Sequence, residues 1–244
     1  MIVEKPDLEV CLSPALLHLY NTHNTIVVII DIFRATSTIT TALHNGATAV
    51  IPIASVTDCI ELGYSIPNSI TAGERDGKIV EGLMMGNSPF EYSEEVIKNK
   101  TLILTTTNGT RLLHMVQNPY QIVIGSFLNL TVVCNYLISQ NKKVILGCAS
   151  WKDKFNLEDT LFAGAVVNNL SNYFNINCDS ARAARHLYNS TGGANFLEFL
   201  KDSSHYKRLS GFGLLKDLEY CTTPDLHPVL PVLMDNEIKL LHYS

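Results

Sequence analysis

The order of apolarity along this chain constrains its fold more than any other feature. Short runs rich in β-branched residues, apolar at nearly every position, alternate with stretches of helical period. A strand with one wet face alternates apolar with polar side chains, so a continuously apolar run predicts a strand covered on both faces. Such runs fall at 8–12, 26–31, 49–53, 69–72, 101–106, 121–124 and 143–148, with helical stretches at 36–45, 57–64, 110–116, 129–139 and 157–171. The segment 179–218 reads as helix only, and 229–234 with 237–242 reads as a terminal hairpin at an antiparallel sheet edge. The expected fold class is α/β, a layered α/β/α arrangement with a mixed, largely parallel sheet. No low-complexity tract or Pro/Gly/Ser linker divides the chain, so 1–244 is expected to be a single compact unit. Asp31-Ile32-Phe33-Arg34 and Asn108-Gly109-Thr110-Arg111 each close a strand and open a helix. That echo suggests two similar β-α-β halves, 1–95 and 96–244, although a chance echo is equally expected of any α/β chain.

Charged residues make up 17% of the chain and the formal net charge is −5. Roughly 25% charge is usual, and the deficit suits elements buried on more than one face. The apolar fraction of 46% excludes disorder as the main state. A net negative charge argues against nucleic acid or an anionic membrane as the main partner, while a homo-oligomer stays open. The first residues lack the basic and apolar regions of a signal peptide, and no apolar run approaches the ~18 residues of a membrane span. Six scattered cysteines without a C-x-x-C pair read as reduced thiols. A cytoplasmic protein is the expectation.

Open α/β sheets bind ligands beyond the carboxyl ends of their strands, which directs attention to four loops. In the first, Asp31 closes a strand, and Arg34, Thr36 and Ser37 open a helix. A carboxylate there suits a divalent cation, and helix-start hydroxyls and amides suit an anion. Arg34 has no capping role at a helix start, where the dipole disfavours it. The second runs from Gly73-Glu74-Arg75 through a glycine-rich stretch to Asn87-Ser88. A bland alternative makes Glu74–Arg75 a surface ion pair and Asn87-Ser88-Pro89 a helix start. The third is Thr106-Thr107-Asn108-Gly109-Thr110-Arg111, where Asn-Gly lets backbone approach a ligand closely. The fourth joins Cys148 to Glu158 and Asp159, two acids in the first turn of a helix. They are either dipole partners or metal ligands, and Cys148 is either core or a nucleophile. Three of the chain's six arginines thus fall in these loops. Arginine suits planar recognition of oxyanions, and carboxylates interleaved with it would repel such a ligand unless a cation intervened. The combination suggests a small polyanionic substrate plus Mg²⁺.

Several familiar sites are absent. There is no G-x-x-x-x-G-K-[ST], no H-E-x-x-H, and only a lone G-x-G at 211–213. Asp31-Ile32-Phe33 lacks the second aspartate of aspartyl-nucleophile phosphatases, and no arginine stands six residues after Cys148.

Taken together, segments 28–39, 72–75, 86–89 and 106–111, with weaker matches at 147–148, 157–159 and 163–164, resemble the 2-phosphosulfolactate phosphatase family of coenzyme M biosynthesis. The ending, 214–221 with Asp225 and 229–231, is also similar. The resemblance implies Mg²⁺-dependent hydrolysis of 2-phosphosulfolactate, a substrate bearing phosphate, sulfonate and carboxylate. On that basis Asp31, Arg34, Glu74, Arg75, Asn108 and Arg111 are the catalytic candidates. Thr36, Ser37, Asn87, Ser88, Gly109, Thr110 and Cys148 are expected to bind substrate. Asp31, Glu74, Glu158 and Asp159 are expected to hold the metal, with a water as attacking group and a covalent intermediate on Asp31 or Cys148 as the less favoured route. The alternatives are a phosphatase of another small phosphorylated hydroxy acid and a non-catalytic anion-binding protein.

Overall fold

The computed structural model describes residues 4–75, 78–106, 108–193 and 195–242. In chain order the elements are β1 (Leu8–Cys11), β2 (Ile26–Ile30), α1 (Ala35–His44), β3 (Ala49–Ile53), α2 (Val56–Ser65), β4 (Ser69–Arg75) and β5 (Lys78–Ile79). They continue with α3 (Glu94–Ile97), β6 (Thr101–Thr105), α4 (Gly109–Met115), β7 (Gln121–Gly125), α5 (Leu130–Gln140), β8 (Val144–Cys148) and α6 (Leu157–Leu170). Four helices follow, α7 (Asp179–Ser190), α8 (Phe196–Leu200), α9 (Ser204–Gly211) and α10 (Leu215–Cys221), and then the hairpin β9 (Pro231–Met234) and β10 (Glu237–Leu240). The strands form one mixed, mostly parallel sheet in the order β1-β8-β2-β7-β9-β10-β3-β6-β4-β5, flanked by helices.

The continuous apolarity of the strands has the expected cause. In β2, Ile26, Val28 and Ile30 join a cluster with Phe162 and Val166 of α6, whereas Val27 and Ile29 join another with Ile39 of α1 and Leu112 of α4. Both faces are therefore dry. Helix α1 contains several β-branched threonines, poor helix formers in isolation. They are buried, and Thr40 and Thr41 donate their hydroxyls to the carbonyls of Thr36 and Ser37 at 2.8 and 2.9 Å, which satisfies them within the helix. Helices α6 and α7 meet backbone to backbone at Gly164, where a Cβ would stand 2.0 Å from the Ala184 carbonyl oxygen. No described helix is long and apolar enough to cross a membrane, and all six cysteines are free.

The terminal hairpin was expected at an edge, and the structure corrects this. It sits in the middle of the sheet, β9 beside β7 through Val232 and Val123, β10 beside β3 through Ile238 and Val50. Val232 and Ile238 are wholly buried there, burial that an edge location would give only in part. The hairpin separates two parallel blocks, β1-β8-β2-β7 and β3-β6-β4. Two crossovers link the blocks in opposite directions: α1 carries the chain from β2 to β3, and α4 returns it from β6 to β7.

That topology sets up the site. From β2 to β4 is six steps along the sheet, about 29 Å at the usual spacing if the sheet were flat. Yet Arg34, just beyond β2, lies 3.8 Å from Glu74 of β4. The sheet is therefore strongly coiled, as accumulated twist permits, and the carboxyl ends of the two blocks face each other.

Candidate active site

A cleft of about 200 Å³ opens where those ends meet. Its floor is the β2–α1 turn. The Asp31 carboxylate is buried and accepts a hydrogen bond from the Ala35 N–H. Burial raises its pKa to about 6, with Glu158 and Glu74 adding to the rise while the Ala35 N–H opposes it. Thr36 locks the turn, donating its hydroxyl to the Asp31 carbonyl at 2.9 Å and accepting the Asp31 N–H at 3.1 Å. Ser37 donates to the Ile32 carbonyl at 3.0 Å. These hydroxyls, expected on the substrate, instead brace the loop that presents Asp31. The Phe33–Arg34 peptide is cis.

Arg34 is 4% exposed and sits directly before α1. Its position against the helix dipole is tolerated because Asp217 of α10 pairs with it and Glu74 lies close by. Ser88 donates to the other Asp217 oxygen at 3.0 Å, so the second loop supports the first. Arg75 lines the cleft and donates to the Glu74 carbonyl at 2.7 Å. Asn87 also lines it, and its buried Oδ1 has no hydrogen-bond partner.

Across from Asp31 stands the β6–α4 turn. Thr106 and Asn108 line the cleft. Gly109 lies so close that a Cβ would come within 3.0 Å of Asp31 Oδ2 and 3.3 Å of the Ala35 Cβ. A side chain at 109 would thus displace the carboxylate, which explains the glycine. Thr110 pairs with the Thr106 hydroxyl at 3.0 Å. Arg111 does not reach the cleft. Its NH1 contacts both oxygens of Asp153 at 2.8 and 2.9 Å on the surface.

Behind the floor, Asp159 accepts from the N–H groups of Ile32 (2.9 Å) and Ser150 (3.0 Å) and from the Asn156 amide (3.0 Å). Both its oxygens are engaged in tying the β2 and β8 loops together. Burial, then the charges of Glu158 and Asp31, raise its pKa. Glu158 is wholly buried, with Oε1 on His205 Nδ1 and Oε2 without a partner. Cys148 is also wholly buried, in the core cluster, and burial pushes its thiol well above the usual range. It lies outside the cleft lining and is held as a thiol rather than a thiolate. Among the described residues, no group of three or more His, Cys, Asp or Glu side chains could hold a metal ion, so the four expected carboxylates are not gathered as one cage.

Asp31, Arg34, Glu74, Arg75, Asn87 and Asn108 therefore meet in one cleft, while Arg111, Cys148 and Asp159 lie beside or beneath it. Asp76, Gly77 and Thr107, in the loops expected to bear the site, lie outside the described residues. Sequence reasoning missed Trp151, Lys152, His205, Arg208 and Leu209, which complete the lining, and Asp217, which orients Arg34. Trp151 had a signal, as the single tryptophan just beyond a strand end. Those on α9 and α10 had none, because that segment shows only helical period and no strand-end cue.

Comparisons with known proteins agree along nearly the whole chain. A family model described as 2-phosphosulpholactate phosphatase matches residues 11–236. A probable 2-phosphosulfolactate phosphatase of Thermotoga petrophila is 43% identical over 85% of this chain and 88% of its own length. One of Caldanaerobacter subterraneus subsp. tengcongensis is 36% identical over 91% of this chain and 97% of its own. Another, of Clostridium acetobutylicum, is 37% identical over 88% and 92% respectively.

Proposed function

The chain belongs to the 2-phosphosulfolactate phosphatase family, and from that premise we propose that it hydrolyses 2-phosphosulfolactate to sulfolactate and phosphate, with Mg²⁺, in the cytoplasm. The observation that carries this reading is the convergence of Asp31, Arg34, Glu74 and Arg75 from opposite blocks of the sheet on one cleft.

The residues fit a magnesium ion. Its usual protein share is one or two carboxylates, the remaining positions falling to water and substrate oxygens, so the lack of a larger cage is compatible with it. Asp31 is burdened by neighbouring negative charge, and Glu158 Oε2 is buried without a partner. Both are conditions a cation would relieve. Asp31 and Glu74 would hold the ion, which when bound supplies positive charge against the phosphoryl oxygens.

The chain's own groups supply the rest. Arg34, locked by Asp217, presents a fixed guanidinium to the phosphoryl oxygens, and Arg75 presents a second. Fixed donors of this kind stabilise charge on the transferring group without reorganising, and phosphoryl transfer depends mostly on such positioning and electrostatics. The Asp31 oxygen not given to the ion would orient the attacking water and accept its proton. Cys148 takes no covalent part, being buried and protonated.

Phosphate release from 2-phosphosulfolactate, with Mg²⁺ and with chelator, is the test. Wild type is expected to depend on the ion, and Asp31→Asn to lose activity by about a hundredfold or more. Full activity of the asparagine variant would remove Asp31 from the mechanism, and full activity in chelator would remove the metal.

A further inference from the structure

Resting on the reading above, that the substrate carries an anionic group besides its phosphate, we propose that Trp151, Lys152 and Arg208 form a separate subsite for that second group, a sulfonate or carboxylate. It lies on the wall of the cleft made by the β8–α6 loop and α9.

The observation that points there is a surplus of positive charge on one ring. Lys152 Nζ lies 4.8 Å and Arg208 Cζ 4.5 Å from the Trp151 ring centroid. Each contact is favourable alone, but together they bring two like charges to one indole. Among the described residues neither side chain has a carboxylate within ion-pair distance. Arg34, by contrast, has Asp217 and Glu74. Arg75, also in the cleft, has only a carbonyl and a hydroxyl as partners among the described residues, so two of the three cleft cations without a carboxylate sit together on the Trp151 wall, where an anion from solution would balance them.

This wall is built rather than incidental. Arg208 NH2 lies 2.8 Å from His205 Nε2. Arginine can only donate, so Nε2 accepts and the ring hydrogen sits on Nδ1, facing the buried Glu158. Glu158 and His205 therefore fix the guanidinium from behind. The Arg208 Nε–H is shielded from water and has no acceptor. The loop side is equally fixed. Trp151 and Lys154 exchange backbone hydrogen bonds of 3.1 and 3.0 Å, and Lys152 and Asp153 between them hold φ of 52° and 61°, the two left-handed residues of a tight turn. The turn places Trp151 and Lys152 at the cleft, and Arg111 pairs with its Asp153 on the exposed side.

The experiment uses the full chain with Mg²⁺ and four esters: 2-phosphosulfolactate, 2-phospholactate (carboxylate only), O-phosphoethanesulfonate (sulfonate only) and ethyl phosphate (neither). The readout is the ratio of kcat/KM for each acid ester to that for ethyl phosphate. Arg208→Gln is expected to lower the 2-phosphosulfolactate ratio about tenfold or more, mainly through KM. Arg208→Lys and Lys152→Gln should lower it less, and Lys207→Gln, on an exposed position of α9, should leave it unchanged. A loss confined to the sulfonate esters assigns the subsite to sulfonate, and one confined to the carboxylate esters assigns it to carboxylate. Calorimetric titration with sulfolactate runs alongside. Arg208-dependent binding without hydrolysis of any ester would keep the subsite and overturn the phosphatase reading. Hydrolysis with wild-type ratios and wild-type sulfolactate affinity in Arg208→Gln would overturn the subsite and keep the phosphatase.

Discussion

The β2–α1 and β6–α4 turns have similar sequences and different fates. Each leads a β-branched strand into threonines and one arginine, yet Arg34 is buried at the cleft and Arg111 lies on the surface. The difference is one of register. Arg34 stands just before α1, whereas Arg111 is the third residue of α4. Three residues climb about 4.5 Å along a helix, away from the strand end where the cleft lies. Counted from the helix start, the counterpart of Arg34 is Asn108, and Asn108 lines the cleft. By the same count Thr36 matches Thr110, and both use their hydroxyls inside the turn. What two such loops share is their distance from the helix start, not the arginine.

The same comparison predicts unequal energies. Arg34–Asp217 is a buried pair, at 4% and 7% side-chain exposure, and Arg111–Asp153 an exposed one, at 50% and 38%. Asp217→Ala should destabilise the fold by about 3–5 kcal/mol, because it strands a buried cation. Asp153→Ala should cost about 1 kcal/mol or less. Urea unfolding of the two variants reads this directly, and equal losses would break the comparison. Activity gives a second contrast. Arg34→Ala should lower kcat/KM for phosphate release by about 10²–10³, the usual effect of removing one charge-stabilising donor, while Arg111→Ala should stay close to wild type. A large loss in Arg111→Ala would mean that the β8–α6 turn it clasps is more dependent on it than the geometry implies.

A further expected effect concerns pH. Asp31 has a folded pKa of about 6, above the unfolded value of about 3.9. A raised acid binds its proton more tightly in the folded state, so its stabilising contribution is full below about pH 4 and is lost as pH rises through about 6. In chelator, Asp31→Asn should therefore become progressively more stable than wild type from pH 4 to pH 7, by on the order of 2 kcal/mol. An unchanging difference in thermal midpoint across that range would show that the Asp31 carboxylate is not held up as its surroundings indicate. The same acid that hydrolysis would require is then the one that costs the empty protein stability.

Much of the fold was legible because it depends on short-range pattern. The strand runs at 26–31 and 143–148 became β2 and β8 with only end residues changed. Asp31, Arg34, Glu74, Arg75, Asn87 and Asn108 were found because strand-end loops are recognisable from their neighbours in sequence. Arg111 and Cys148 were drawn in by the same rule and fell outside the cleft, since the rule locates a loop and not the direction of each side chain in it. His205, Arg208 and Asp217 reach the site from helices whose sequence carries no mark of it.

The sequence by itself determined the order of the elements, the two dry faces of the sheet and the loops from which a site could be drawn. Each follows from side-chain period and turn chemistry within a few residues. Only the tertiary structure decided that the hairpin lies between the two parallel blocks, that Arg34 meets Glu74 and Asp217, and that Trp151 gathers two cations. Those outcomes depend on sheet coiling, which accumulates over many strands, and on packing between residues as distant as Arg34 and Asp217. No local pattern encodes either.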